Sequence, residues 1–201
     1  MAFEYVAGDP ALDLINTVDW TARGLEDERL AAPADLVHWA AGAGLLDRPD
    51  AERLARAVAR HPREAGRALD RARLTRLVLR DLFGALAAGA PTDQSLGQFN
   101  RLLSNALDRA QLVRTGSRAR PAFAWGWREL AERPEALLAP VLWSATRLLT
   151  SPEAERIRVC GGTDCGWMYV DRSRNGFRRW CQMRTCGTRE KTRRRRAGIT
   201  A

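Results

Sequence analysis

Lysine is almost missing from this chain: among 33 basic residues only Lys191 is not arginine, a bias typical of a GC-rich genome. Histidine is nearly as scarce. His38 and His61 are the only two, and neither has a serine or cysteine partner in a nucleophile motif, so no catalytic constellation is present and an enzyme is not expected. Long apolar runs are missing as well. The longest, residues 137–149, contains Pro140 and Arg147 and is too short to span a bilayer. The opening Met1-Ala2-Phe3-Glu4-Tyr5 has neither the basic nor the apolar region of an export signal. A cytoplasmic protein with no membrane partner is the expectation. No repeat and no low-complexity linker appears.

Cysteine is absent from the first 159 residues and then occurs four times, at Cys160, Cys165, Cys181 and Cys186. The spacing C-x4-C-x15-C-x4-C forms two matched pairs, and each short loop can turn two sulfurs toward one ion. Four thiolates in a tetrahedral set form the usual closed structural site of Zn2+, with no position open to substrate. A redox-active version of the site and a pair of disulfides are the competing readings. Disulfides accumulate in exported chains, which this start does not resemble.

Charge divides the chain at the same place. Residues 151–201 hold 13 Arg or Lys against 5 Asp or Glu, whereas residues 1–150 hold 20 against 19. Almost the whole net charge of +9 therefore lies on the cysteine segment, the footprint of a module that binds a polyanion. With 45% apolar residues the chain can also bury a substantial core. One domain over residues 1–150 and a small module over 151–201 is the natural division.

The first part reads mainly as helices. Pro33 and Asp35 open one through Leu36, Val37, Trp39 and Leu45. Asp50 is positioned to cap a second, which His61-Pro62 ends. Residues 63–88 place Leu74, Leu77, Val78, Leu82 and Leu86 at helical spacing. Thr92 or Asp93 caps another that runs through Leu112. The run 122–127 breaks the pattern as a short strand or extended turn, and Pro134 starts the last helix. In the second part, residues 157–159 and 167–170 are β-rich and flank the first cysteine pair. Asn175-Gly176 predicts a turn leading into a hairpin through Trp180. Thr188 is placed to cap a helix with Glu190 in its first turn and Arg193 to Arg196 at its end, the order the helix dipole favours. The expected fold is mainly α, an N-terminal helical domain followed by a small α+β, treble-clef-like four-cysteine zinc finger.

These residues carry a family resemblance. Cys165-Gly166-Trp167, Asp171-Arg172-Ser173-Arg174-Asn175, Arg178-Arg179-Trp180-Cys181, Met183 and Cys186-Gly187-Thr188-Arg189 resemble the CGNR zinc-finger family of bacterial proteins. Leu12-Asp13-Leu14-Ile15-Asn16-Thr17, Asp35-Leu36 and Trp39 resemble the ABATE domain that commonly precedes that finger, so the resemblance covers essentially the whole chain. The family is named for stress-induced transcription regulation, which implies DNA as partner. One position departs from the signature: Thr188 stands where the family has asparagine.

Roles follow for individual residues. Four thiolates on zinc leave a charge of −2, which Arg158, Arg174, Arg178, Arg179 or Arg184 could offset. The outer set Arg189, Lys191, Arg193, Arg194, Arg195 and Arg196 is assigned to phosphates, with Arg178 and Arg179 open to either role. Base readers are expected among Arg174, Asn175 and Thr188. Trp167 and Trp180 are expected to pack beside the metal, and Asp171 to cap a turn. The polar cluster Asp13, Asn16 and Thr17, with Asp19, is the candidate site for a small-molecule effector; a helix cap and turn is the plainer reading. The helical domain is expected to sense such a ligand or to mediate assembly, a homodimer included. An RNA-binding or protein-interaction module with purely structural zinc is the alternative.

Overall fold

A computed structural model of the chain describes residues 3–21, 23–89, 93–118 and 120–198. The fold is mainly α, with seven α-helices and three two-stranded antiparallel sheets among the described residues. Helix α1 (Pro10–Ile15) starts at Asp9, whose carboxylate accepts the Ala11 N–H at 2.8 Å. Strands β1 (Asp19–Thr21) and β2 (Gly24–Glu26) form a small hairpin. Helices α2 (Pro33–Gly42) and α3 (Arg48–Arg60) follow. The cap of α3 is Asp47 rather than Asp50: the Asp47 carboxylate accepts the Asp50 N–H at 2.8 Å, and Pro49 occupies the first turn, where it loses no hydrogen bond.

The central element is α4 (Pro62–Ala87), about 39 Å long at 1.5 Å per residue. Its buried stripe keeps only part of the series expected from the sequence: Leu82 is buried and Val78 and Leu86 pack against the core. Ala65, Ala68, Leu69, Ala72, Leu79, Leu82 and Phe83 face the core, while Leu74 and Leu77 are exposed. Small alanines allow neighbouring helices to approach α4 closely, so that face is the one buried.

Helix α5 (Asp93–Leu107) stops short of Leu112, which lies instead in β3 (Ala110–Arg114), paired with β4 (Phe123–Trp127). The expected Thr92 cap lies outside the described residues. Leu112 faces Trp125 across this hairpin, and the Trp125 and Trp127 rings stand 5.0 and 6.3 Å from Trp143. From Pro134 the chain makes one 3₁₀ turn before α6 (Leu138–Leu149).

The C-terminal part contains β5 (Ile157–Val159), β6 (Met168–Val170) and α7 (Thr188–Arg196). The finger's hairpin is thus β5–β6, which encloses the first cysteine pair. Asn175-Gly176 does make a turn, with Gly176 at φ +68°, but residues 177–180 form no strand. The basic run 193–196 is helical.

Part of the second region packs into the core of the first. Ile157, Met168 and Val170 pack in the same buried cluster as α1, α2, α4 and α6. The Val170 N–H donates to Ala7 O at 2.9 Å, so the N-terminal segment lines the free side of β6. Composition marks a boundary near residue 150 that packing does not observe.

Candidate metal centre and basic face

The four cysteines converge on one point. Their Sγ atoms all lie within 4.8 Å of one another and each thiol is buried. Cys165 and Cys181 are 3.7 Å apart, Cys181 and Cys186 3.6 Å. A tetrahedron with metal–sulfur bonds of about 2.3 Å has edges of about 3.8 Å, so the cluster has the dimensions of a tetrathiolate metal site. These separations exceed the bond of about 2.0 Å that a disulfide requires.

Local structure brings the sulfurs together. Cys160 and Cys165 lie on the loop joining β5 to β6, pinned where the Cys160 N–H donates to Trp167 O at 2.7 Å. Asp164 takes the left-handed conformation (φ +56°), which aspartate tolerates, and turns the chain back into Cys165. Cys181 lies just before a turn of π-helix, residues 183–187, that contains Cys186 and runs directly into α7. A Cβ on Gly162 would lie 3.0 Å from Cys186 Cβ and 3.1 Å from its sulfur, so the first loop can approach the second pair only because that residue has no side chain. Around the thiols Trp167, Tyr169, Trp20 and Trp180 form a compact second cluster, as expected for Trp167 and Trp180.

The electrostatics suit a cation. The thiols of Cys165 and Cys181, then the N–H groups of Cys181 (3.2 Å) and Gly162 (3.4 Å), all direct hydrogen bonds at Cys160 and hold its thiol far below the ordinary value. Cys165 and Cys181 are pushed up, chiefly by the same thiol contacts. A divalent metal bound there would displace the thiol protons and be held by four thiolates.

Sulfur is contacted by backbone N–H groups rather than by the arginines proposed from sequence. Arg178 is half-buried and donates to the carbonyls of Trp180, Val6 and Cys181, and its guanidinium lies 4.1 Å from the Tyr169 ring. It braces the finger. Arg80 on α4 donates to Gly166 O at 2.6 Å and interacts with Cys165; burial lowers its pKa. Asp171 touches no cysteine. Burial pushes its carboxyl up, but hydrogen bonds from the Ser173 hydroxyl and N–H and the Arg178 N–H outweigh this and hold it below the usual range. It caps the 171–178 loop.

The other residues assigned to nucleic acid lie on the loop after Asp171 and on α7. Arg174, Asn175, Arg179, Thr188, Arg189, Lys191, Arg193, Arg195 and Arg196 are exposed, and Arg194 is half-buried. Thr188 lies inside the helix (φ −67°, ψ −43°) and donates its hydroxyl to Met183 O at 3.1 Å, so it does not act as the N-cap. Arg193 and Arg194 are not free cations: Glu190 accepts from Arg193 at 2.7 Å and from Arg194 at 3.4 Å, and these contacts, Arg193 first, hold its carboxyl low. Arg189 lines a cleft of about 100 Å³ beside Cys165, Cys181 and Cys186.

Asp13, Asn16 and Thr17 come together, but their polar atoms bond to the chain itself. Asn16 donates to Met168 O at 2.8 Å and accepts the Met168 N–H at 2.9 Å, both buried. Thr17 donates to Leu14 O and accepts from Arg76, which also pairs with Glu28. Asp13 accepts the Ala7 N–H at 3.0 Å, and burial, the largest influence, raises its pKa to about 7. Asp19 accepts from Trp167 Nε1 at 2.8 Å and pairs with Arg29 at 3.0 Å. Sequence reasoning found this cluster but not its partners 148 to 152 residues away. The available signal was an asparagine directly after Leu14-Ile15 and just before Val18, among apolar residues where a buried amide must find backbone partners. Arg80 had no such signal.

No curated protein matches the chain. The ABATE family, described as "Putative stress-induced transcription regulator", matches residues 8–152, and the CGNR zinc finger matches residues 156–197. With a family match over more than half its length and a four-thiol cluster of metal-site dimensions in the matched finger, this chain belongs to the ABATE family and carries a CGNR zinc finger.

Proposed function

We propose that the protein is a zinc-dependent, DNA-binding transcription regulator without catalytic activity, working in the cytoplasm. Zn2+ held by Cys160, Cys165, Cys181 and Cys186 serves structure: four thiolates fill its tetrahedron and leave no site for substrate. The observation that carries the reading is the connection from metal to helix. The turn holding Cys186 continues directly into α7, so ligation fixes the orientation of a helix that exposes Arg189, Lys191, Arg195 and Arg196. Those cations are assigned to phosphates, and the exposed Arg174, Asn175 and Thr188 to base edges. The helical part senses a small molecule or mediates assembly of two copies.

One observation favours a second reading. Phe177 is 81% exposed between the Arg174-Asn175 loop and Arg179. An exposed aromatic among arginines suits stacking on unpaired bases, so RNA or single-stranded DNA is the alternative partner. The test is selection of bound sequences from genomic duplex and single-stranded pools by the zinc-loaded protein, alongside metal analysis. The proposal expects one zinc per chain and enrichment of a duplex motif that chelation abolishes. Enrichment from the single-stranded pool alone, lost in Phe177→Ala, would favour the alternative.

A further inference from the structure

A cavity away from the finger, between α4, α5 and α6, has a volume of about 600 Å³. Val78, Leu102, Leu138, Ala139 and Leu142 supply an apolar floor, and Arg71, Arg101 and Arg109 stand among its lining residues. The cations are not equivalent. Arg109 pairs with Glu129, and the one acidic residue of the lining, Glu135, lies 3.8 Å from Arg133. Arg71 and Arg101 have no ion pair among the described residues and are exposed. The lining therefore carries uncompensated positive charge beside an apolar bed.

Thr75 adds an independent sign. It lines the cavity on α4, is 1% exposed, and its hydroxyl has no hydrogen-bond partner among the described residues. A helical threonine commonly satisfies its hydroxyl on the preceding turn, and a buried hydroxyl without a partner carries a desolvation cost that a ligand's polar atom removes. Pockets for small molecules combine an apolar lining with a few polar groups that fix orientation, and volumes of 300–1,000 Å³ are usual.

We infer that this cavity is a binding site for a small amphipathic organic anion, with its carboxylate held by Arg71 and Arg101 and its apolar body lying on Val78, Leu102 and Leu142. The inference names the ligand class and site for the sensor role proposed above. It rests on that reading only for the consequence of binding, because occupancy is measurable without DNA. The site is joined to the finger through α4: the residue after Thr75 is Arg76, which donates to Thr17, and Arg80 on the same helix donates to Gly166 O.

The test is calorimetric titration of the full-length, zinc-loaded protein with decanoate and with its neutral counterpart decanamide, for wild type, Arg71→Ala/Arg101→Ala and Thr75→Val. Neither arginine has an ion-pair partner, so their removal should leave the melting temperature almost unchanged. Wild type should bind one decanoate per chain, at least tenfold more tightly than decanamide. The double arginine variant should lose that tenfold preference while keeping its affinity for decanamide, and Thr75→Val should weaken both. Equal affinity of wild type for the two compounds, an unchanged preference in the arginine variant, or no saturable binding of decanoate would overturn the inference. Failure of DNA binding with decanoate bound normally would count against the regulator reading alone.

Discussion

Asn16→Ala should destabilise the helical part and the finger together, and its cost can be worked from two hydrogen bonds. The Asn16 amide occupies both the N–H and the carbonyl of Met168 at 2.9 and 2.8 Å, in a site only 2% exposed. Alanine leaves both backbone groups buried without partners, each costing about 1–3 kcal/mol, so a loss of about 2–5 kcal/mol is expected. For a chain of this size, with stability on the order of 10–20 kcal/mol, that is a large fraction. At a urea dependence of about 2–3 kcal/mol/M the midpoint should fall by about 1–2 M. The assay is urea unfolding followed in parallel by far-ultraviolet circular dichroism for the helices and by a chromogenic chelator for metal release. Because Met168 and Val170 belong to the core of α1 and α4, both signals should move together in wild type and variant. A midpoint shift below about 0.3 M, or metal release well before helix loss in wild type, would show that Asn16 does not join the two parts.

Gly166→Ala should disrupt the same junction from the other side. Its φ of +63° disfavours a side chain, and a Cβ there would lie 2.3 Å from Trp20 O, so a loss of at least about 2 kcal/mol is expected in the same urea assay. Asp13 makes stability depend on pH. Its folded pKa of about 7, raised from 3.8, means that the folded state retains a proton the unfolded chain has released. Its contribution is therefore fully present below about pH 4, declines as pH rises, and is lost above about 7. Asp13→Asn, which keeps an amide oxygen for the Ala7 N–H, should flatten that dependence and stabilise the protein at pH 8 by on the order of 2–4 kcal/mol. Thermal melts from pH 5 to 8 check this, and a variant with the wild-type slope would remove Asp13 as its cause.

The metal cluster was legible because its information is local: two matched cysteine pairs, short loops and nothing else for the thiols to do. Helices were legible wherever period and punctuation agreed, as at Pro33 and Pro134. The buried face of α4 was read only in part, because leucine was weighed above alanine: Leu82 is buried, but Leu74 and Leu77 are exposed and Ala65, Ala68 and Ala72 take the core. Leu112 was assigned to a helix because an apolar residue four or five positions past a helical stripe fits either structure, and only pairing with Trp125 decides. Asn16 shows the deepest limit. The sequence offered it as part of an effector site or a helix cap, but its partner is the backbone of Met168, and any residue would present the same N–H and C=O.

A salt titration of duplex binding, comparing wild type with Arg189→Ala/Lys191→Ala/Arg195→Ala/Arg196→Ala on specific and scrambled DNA, tests the central claim most directly. These four are exposed, and none shares the Glu190 contacts that occupy Arg193 and Arg194. Each phosphate contact contributes about −0.9 to the slope of log K against log salt, so losing four should reduce its magnitude by about 2 to 4 and weaken both duplexes alike, with zinc content unchanged. A slope identical to wild type would contradict the account, because α7 would then be a solvated basic helix rather than a surface that meets DNA.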